Sequence, residues 1–305
     1  MKCSLLKRLN VKHVAVAVLL VYCIFESYLG ISQLLGYRES NNSVYKMTAS
    51  FTNPGPFGGF LAVCLSIFIP YIADYKFVAD KRLFLKILYW LTIIGTIFSF
   101  IVLPSTQSRS AILALGCSLL LFSVRNKRIR SRLIKVVKRY GIWILASIAI
   151  MGIGAYRFKK ASADGRLFMD RMCIKAICAN GWKGSGFGRF GGAYGDTQYR
   201  YFKDQILAKG NDDLDWSVID EHDRLTADCP DNAFNEYLFV GVEAGPFAML
   251  LLICSIVVLI AVSFKRGTIW CYGMTSLAVF AFFFISVSCK TVPVIISRAD
   301  SRLLI

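Results

Sequence analysis

The stretch "DNAFNEYLFVGVEAGPFAMLLLICSIVVLIAV" runs from Asp231 to Val262. From Pro246 onward it carries no charge, and before that point it sets Asp231, Asn232, Asn235, Glu236 and Glu243 at the entrance of the apolar run. A polar group carried into a bilayer without a partner costs several kcal/mol. The polar half therefore marks the watery end of a membrane-crossing helix. It also raises a question: what do amides and three carboxylates do at that doorway?

Working outward, apolar runs cover about 14–36, 55–75, 87–104, 108–124, 141–156, 246–264 and 268–289. Each approaches or exceeds the roughly 18–20 residues that a helix needs to cross a bilayer. The chain is 56% hydrophobic, against about 45–50% in soluble domains, and its mean hydropathy is +0.54. The pattern predicts an all-α, polytopic transmembrane bundle of about seven spans with one large extracytoplasmic loop containing interfacial helices. Residues 1–156 would hold spans one to five, 157–244 the loop, and 245–305 spans six and seven with a C-terminal tail.

The formal net charge of +17 invites a nucleic-acid reading, but its distribution excludes one. Segments 1–13, 75–86, 125–139 and 265–267 hold 18 Lys and Arg, whereas 37–54 and 104–109 hold only Arg38, Lys46 and Arg109. This alternation follows the positive-inside rule. It predicts a cytoplasmic N-terminus, a cytoplasmic "RNKRIRSRLIKVVKR" (125–139) in touch with anionic lipid, and an outward 157–244. The segment "MKCSLLKRLNVKH" has the charge of a signal-peptide start, but no small-residue cleavage site follows, so the first span is expected to be retained.

Cys23, Cys64, Cys117, Cys254, Cys271 and Cys289 lie in or beside apolar runs, as small apolar residues do. Cys173, Cys178 and Cys229 fall in the loop, without a CxxC, and the histidines are only His13 and His222. Neither a disulfide framework, a metal site nor another cofactor is expected.

In this topology spans two, four and six present their N-termini outward. "SFTNPGPFGG" (50–59) offers Asn53 as a cap and Pro54 as first helical residue. "LPSTQSRSA" (103–111) ends one helix at Pro104 and offers Ser105, Thr106 or Ser108 as cap for the next. Asp231 or Asn232 would cap span six. A helix N-terminus carries about half a positive charge and unpaired N–H groups, which suit an anion. Arg109 sits in such a first turn, where a cation is disfavoured, so a carboxylate or a ligand phosphate is expected beside it.

Within the loop, "SADGRLFMDRMCIKAICANGW" (162–182) has helical spacing, with Ser162 or Asp164 as cap and Gly181 as stop. Leu167, Phe168, Met172, Ile174 and Ile177 would lay one face on the membrane, with Arg166 in the first turn. "GSGFGRFGG" (184–192) lacks a preceding strand and reads as a glycine-rich turn, not a dinucleotide motif. "NDDLDWSVIDEHD" (211–223) reads as a solvated loop. Glu26 and Gln33 stand seven residues apart on one face of span one, as either a functional or a structural polar pair.

In series, "ESYLGISQLLG" (26–36), "SFTNPGPFGGFLA" (50–62), "STQSRSAILAL" (105–115), "DGRLFMDRMCIKAICANGWKGSGFGRF" (164–190) and "NEYLFVGVEAGPFAMLLL" (235–252) resemble the bacterial O-antigen ligase and O-antigen polymerase family. That family has about a dozen spans, so the resemblance implies a shortened member lacking N-terminal spans. Its ligases carry His immediately before the Asn of the last motif, where this chain has Phe234, which favours the polymerase branch.

The resemblance implies an enzyme of the bacterial inner membrane. Its donor would be a glycan on a polyprenyl diphosphate, and its acceptor a hydroxyl of another glycan, of lipid A core or of a protein. Arg109 and Arg166 would hold the diphosphate. Asn53, Ser108, Asn235, Glu243, Glu26 and Gln33 would contact substrate, and Glu236 would serve as base. Asp164 is a rival base, and Glu236 or Glu243 pairing with an arginine is a structural alternative. A lipid-linked-sugar transporter and an inactive truncated member are the competing functions.

Overall fold

The computed structural model describes residues 11–74, 83–158, 160–208, 219–227, 230 and 232–283. The basic residues before 11 and within 76–82, the acidic stretch over 211–218, Cys229, Asp231 and everything beyond 283 lie outside the described residues. Every regular element among the described residues is helical. In chain order the α-helices are α1 (Val11–Leu34), α2 (Pro54–Asp74), α3 (Leu83–Ser105), α4 (Arg109–Arg125), α5 (Lys127–Phe158), α6 (Lys160–Asn180), α7 (Phe190–Ala208), α8 (Glu221–Thr226), α9 (Glu236–Arg266) and α10 (Trp270–Phe283), with one 3-10 turn, Gly181–Lys183, in the loop after α6.

Among the described residues four helices, α1, α2, α3 and α9, are long and apolar enough to cross a membrane. A fifth span arises only if α4 and the first part of α5 are joined across a 108° bend. That is fewer than the seven the apolar runs predict. α4 has only 17 residues. α5 continues for 32 residues through the basic segment, so arginine and lysine occupy the helix the fifth apolar run belongs to. The last run reaches past the described end of α10.

α1 to α4 and α10 enclose one core around Phe57, Leu61, Phe68 and Tyr71 of α2. Lipid tails are as apolar as leucine, so close packing, not escape from water, holds such helices together. Gly58 shows how: a Cβ there would lie 2.7 Å from Thr106 Oγ1 and 2.9 Å from Ser108 Cβ. Only glycine lets the start of α2 lie against the start of α4.

The second core belongs to a polar unit of α6, α7, α8 and the beginning of α9. Phe168, Met172, Phe190, Tyr194, Phe202 and Val242 form it, with Phe168 stacked on Phe202 at 5.9 Å between centroids. Side chains of this kind each contribute about 1.5–3 kcal/mol when buried from water. This changes the reading of α6. Phe168 and Met172, expected on a membrane-facing stripe, are buried under α7, and Ile177 packs against Gly241 of α9; only Leu167 and Ile174 remain exposed.

The cap expectations divide in the same way. Asn53 Oδ1 accepts from the Gly55 N–H at 2.9 Å, and Ser108 Oγ accepts from the Ala111 N–H at 3.4 Å, as their positions predict. Gly181 (φ +63°) stops α6. α6 begins at Lys160, however, which moves Asp164 and Arg166 beyond its first turn. α9 is capped by Asn235, not by Asn232: Asn235 Oδ1 accepts from the N–H groups of Tyr237 (3.1 Å) and Leu238 (3.3 Å).

α9 breaks at Gly245, where φ is 87° and ψ is 166°. Side chains do not tolerate that conformation. The break separates the polar doorway from the apolar run, none of whose residues is buried by the described residues.

Candidate functional site

The N-terminal ends of α2 and α4 meet the polar unit at a cavity of about 710 Å³. The bundle contributes Asn53, Ser108 and Arg109; the loop between α1 and α2 contributes Tyr45 and Lys46; α6 contributes Arg166; and Phe234 closes the wall ahead of α9. Thus Arg109 and Arg166, 57 positions apart in sequence, face one space with the caps Asn53 and Ser108. Three cations line it, and no aspartate or glutamate stands among its described lining residues.

The electrostatics follow from this crowding. Burial, and then the charge of Arg109, push the Arg166 pKa down, while Asp170 and Tyr45 act the other way. A guanidinium stays protonated through such a shift, so two like charges persist in a half-buried space with two helix N-termini. An anion is the chemical complement of that arrangement. The Arg166 guanidinium also lies over the Phe234 ring, 5.1 Å from its centroid. Such cation–π contact orients the group.

A family model described as O-antigen ligase matches residues 94–253, more than half of the 305-residue chain. The chain belongs to the O-antigen ligase family. Comparison with curated proteins and with solved structures gave no match. Membership and the apolar helices make it a multi-pass membrane protein with membrane glycan ligase-type chemistry, acting on lipid-linked glycan and acceptor substrates.

Within this O-antigen ligase family member, the remaining candidate residues do not line the cavity. Glu26, 0% exposed, accepts the Ser50 hydroxyl at 2.6 Å and the Ser50 N–H at 3.0 Å. Gln33 Oε1 accepts from the Thr48 (2.9 Å) and Ala49 (2.7 Å) N–H groups, while its Nε2 donates to the Ala49 (3.0 Å) and Glu39 (3.2 Å) carbonyls. The shared face of α1 thus grips the loop that carries Tyr45 and Lys46. Asn235 is occupied as the α9 cap. Glu243 Oε1 accepts from the Phe190 N–H at 3.2 Å, at the start of α7. Glu236, partly buried, opens α9 two residues after the cavity-lining Phe234. Asp164 is buried with Oδ2 3.2 Å from His222 Nε2. That contact, with the Tyr201 hydroxyl donating to Asp223 at 2.6 Å, seats α8, whose Leu225 and Thr226 complete the wall.

Lys46, Tyr45 and the stacking role of Phe234 were not legible as site residues. Lys46 had one signal, as one of the three cations in the otherwise cation-poor segments. Phe234 registered only as a missing histidine.

Asp170, one turn after Arg166, is pushed up to about 6 by burial, against the pull of the Arg166 charge. The folded-state value is raised above the ordinary 3.8, so the neutral acid favours the fold. That contribution is full below about pH 4 and is lost as pH rises through about 6. In thermal unfolding of detergent-solubilised protein, wild type should lose stability relative to Asp170→Asn across this window. A constant wild-type-minus-variant difference from pH 4 to 7 would show that Asp170 is not the titrating group.

Proposed function

We propose that this chain transfers a glycan from a polyprenyl-diphosphate carrier to an acceptor hydroxyl at the outer face of the bacterial cytoplasmic membrane. The observation that carries this proposal is the cavity where Lys46, Arg109 and Arg166 meet two helix N-termini. The acceptor oxygen bonds to the anomeric carbon, and the bond from that carbon to the diphosphate oxygen breaks. The departing diphosphate keeps the electron pair. Arg109 and Arg166 hold its oxygens, bidentate where geometry allows, and Lys46 adds a point charge. The acceptor's proton goes to Glu236. A phenyl ring at position 234 cannot take a proton, which favours a second glycan chain as acceptor, the polymerase variant of the reaction.

The test is transfer in membranes supplied with defined lipid-linked donor, measured against pH. Glu236→Gln should lose most of the rate together with the acidic limb of the profile, and Glu236→Asp should keep part of both. Wild-type rate and pH dependence in Glu236→Gln would remove Glu236 from the role of base.

Orientation follows from charge: the N-terminus and 125–139 inside, the polar unit outside. A membrane-impermeant thiol reagent on intact cells should label a cysteine placed at exposed Arg200 and miss one at exposed Arg130. The opposite pattern would put the cavity on the wrong face for a flipped lipid-linked donor.

A further inference from the structure

We infer that the loop following α6 is a second membrane contact of the polar unit, with Trp182 and Phe187 seated in the lipid headgroup region beside α9. This rests on α9 being embedded in the bilayer and not on the transfer reaction. Trp182 is 77% exposed and Phe187 88% exposed, although both belong to a tightly fixed segment. The Ser185 N–H donates to the Val242 carbonyl at 2.8 Å, and the Gly186 N–H donates to the Glu243 carbonyl at 2.9 Å. The Ser185 hydroxyl also donates to the Val242 carbonyl, at 3.0 Å. The Trp182 carbonyl lies against Gly245, where a Cβ would overlap it.

These contacts set the depth of the loop. Gly245 is followed by Pro246 and an apolar run none of whose residues is buried by the described residues, beginning with exposed Phe247, Leu250 and Leu251. Trp182 is therefore held at the level where α9 enters hydrocarbon. An indole is favoured at that level, with its ring in the headgroup zone and its N–H toward water. Exposed Lys183 and Arg189 flank the pair and suit lipid phosphate. A lipid surface continuous with the bare face of α9 accounts for both uncovered rings at once.

The contact has a consequence for the site. This loop follows the Asn180 end of α6. α6, which carries Arg166 of the cavity that Arg109 also lines, is thereby tethered at that end.

The experiment uses the full chain in phosphatidylcholine–phosphatidylglycerol vesicles, with Trp90, Trp143, Trp216 and Trp270 changed to Phe. Bromines near the headgroup end of the acyl chains should quench Trp182 fluorescence about two-fold or more, while aqueous acrylamide quenches weakly. Strong acrylamide quenching with no effect of bromine would overturn the inference. So would quenching or protection that depends on the protein-to-lipid ratio, because it would mark a second copy as the cover. A variant keeping only Trp90, on the span α3, serves as reference. If neither tryptophan responds to bromine, membrane embedding itself fails and the inference falls with it, whereas a response from Trp90 alone overturns only the loop contact. Should the tryptophan substitutions prevent folding, hydroxyl-radical footprinting of the wild-type chain in vesicles gives the same answer. Trp182 and Phe187 should then oxidise several-fold more slowly than their exposure within the protein alone allows, and rates matching that exposure overturn the proposal.

Discussion

Arg109→Ala and Arg166→Ala should each reduce glycan transfer by about 10²–10³-fold, the usual worth of a charge-directed donor in a preorganised site, while the chain should still insert in the membrane. The two guanidiniums line one cavity, and the charge of one lowers the pKa of the other. They are therefore expected to share one anion, and the double variant should lose less than the product of the single losses. Lysine at either position restores charge without the planar fork, so partial recovery is the expected result. Phe234→Ala should resemble a mild form of Arg166→Ala, since it removes the ring beneath that guanidinium without removing the charge. The measurement is transfer rate from a defined lipid-linked donor at saturating acceptor, normalised to inserted protein. Full activity in either alanine variant makes that arginine a structural residue, and the diphosphate must then be held elsewhere.

The second large effect is on the fold. Gly245→Ala should cost at least about 3 kcal/mol, because the backbone strain alone costs about 1–3 kcal/mol and the new methyl group also meets a rigid backbone. The residue has φ +87°, and its Cβ would overlap the Trp182 carbonyl. Gly184 forms the other half of the joint: it has φ +67°, and its Cβ would lie 2.5 Å from the Glu243 carbonyl oxygen. Gly184→Ala should therefore be similarly damaging, and the two changes together should be less than additive, since either one already opens the joint. Thermal unfolding in detergent, with steady-state level in membranes as a second readout, reports both. A Gly245→Ala protein within about 0.5 kcal/mol of wild type, the range of ordinary surface changes, would mean that α9 does not need its break.

The sequence by itself determined the features set by short-range physics. Transfer from water to hydrocarbon depends on composition over about 20 residues, so α1, α2, α3 and α9 were legible as apolar runs. Caps depend on one side chain and the N–H groups two or three residues on, so Asn53 could be named, Ser108 as one of three candidates with Ser105 and Thr106, and Gly181 as a helix stop. Even locally the signal was degenerate. Three of the five residues from Asp231 to Asn235 are capping types, and only the extended backbone at Asn235 (φ −149°, ψ 108°) shows which one caps α9.

What only the tertiary structure decided is which distant groups meet. Arg109 and Arg166 were legible as candidates, but their shared cavity depends on Gly58 letting α2 approach α4 and on the polar unit standing over both. Periodicity showed that Phe168 and Met172 share a face of α6, but a protein core and a bilayer select the same residues, and only the packing of α7 distinguishes them. The carboxylates near the ends of the apolar runs were equally ambiguous. Glu243 turned out to hold the start of α7, and Glu26 the loop before α2, because a buried carboxylate is stabilised by whichever N–H or hydroxyl the fold brings to it. Such partners lie tens of residues away, and no local spacing encodes them.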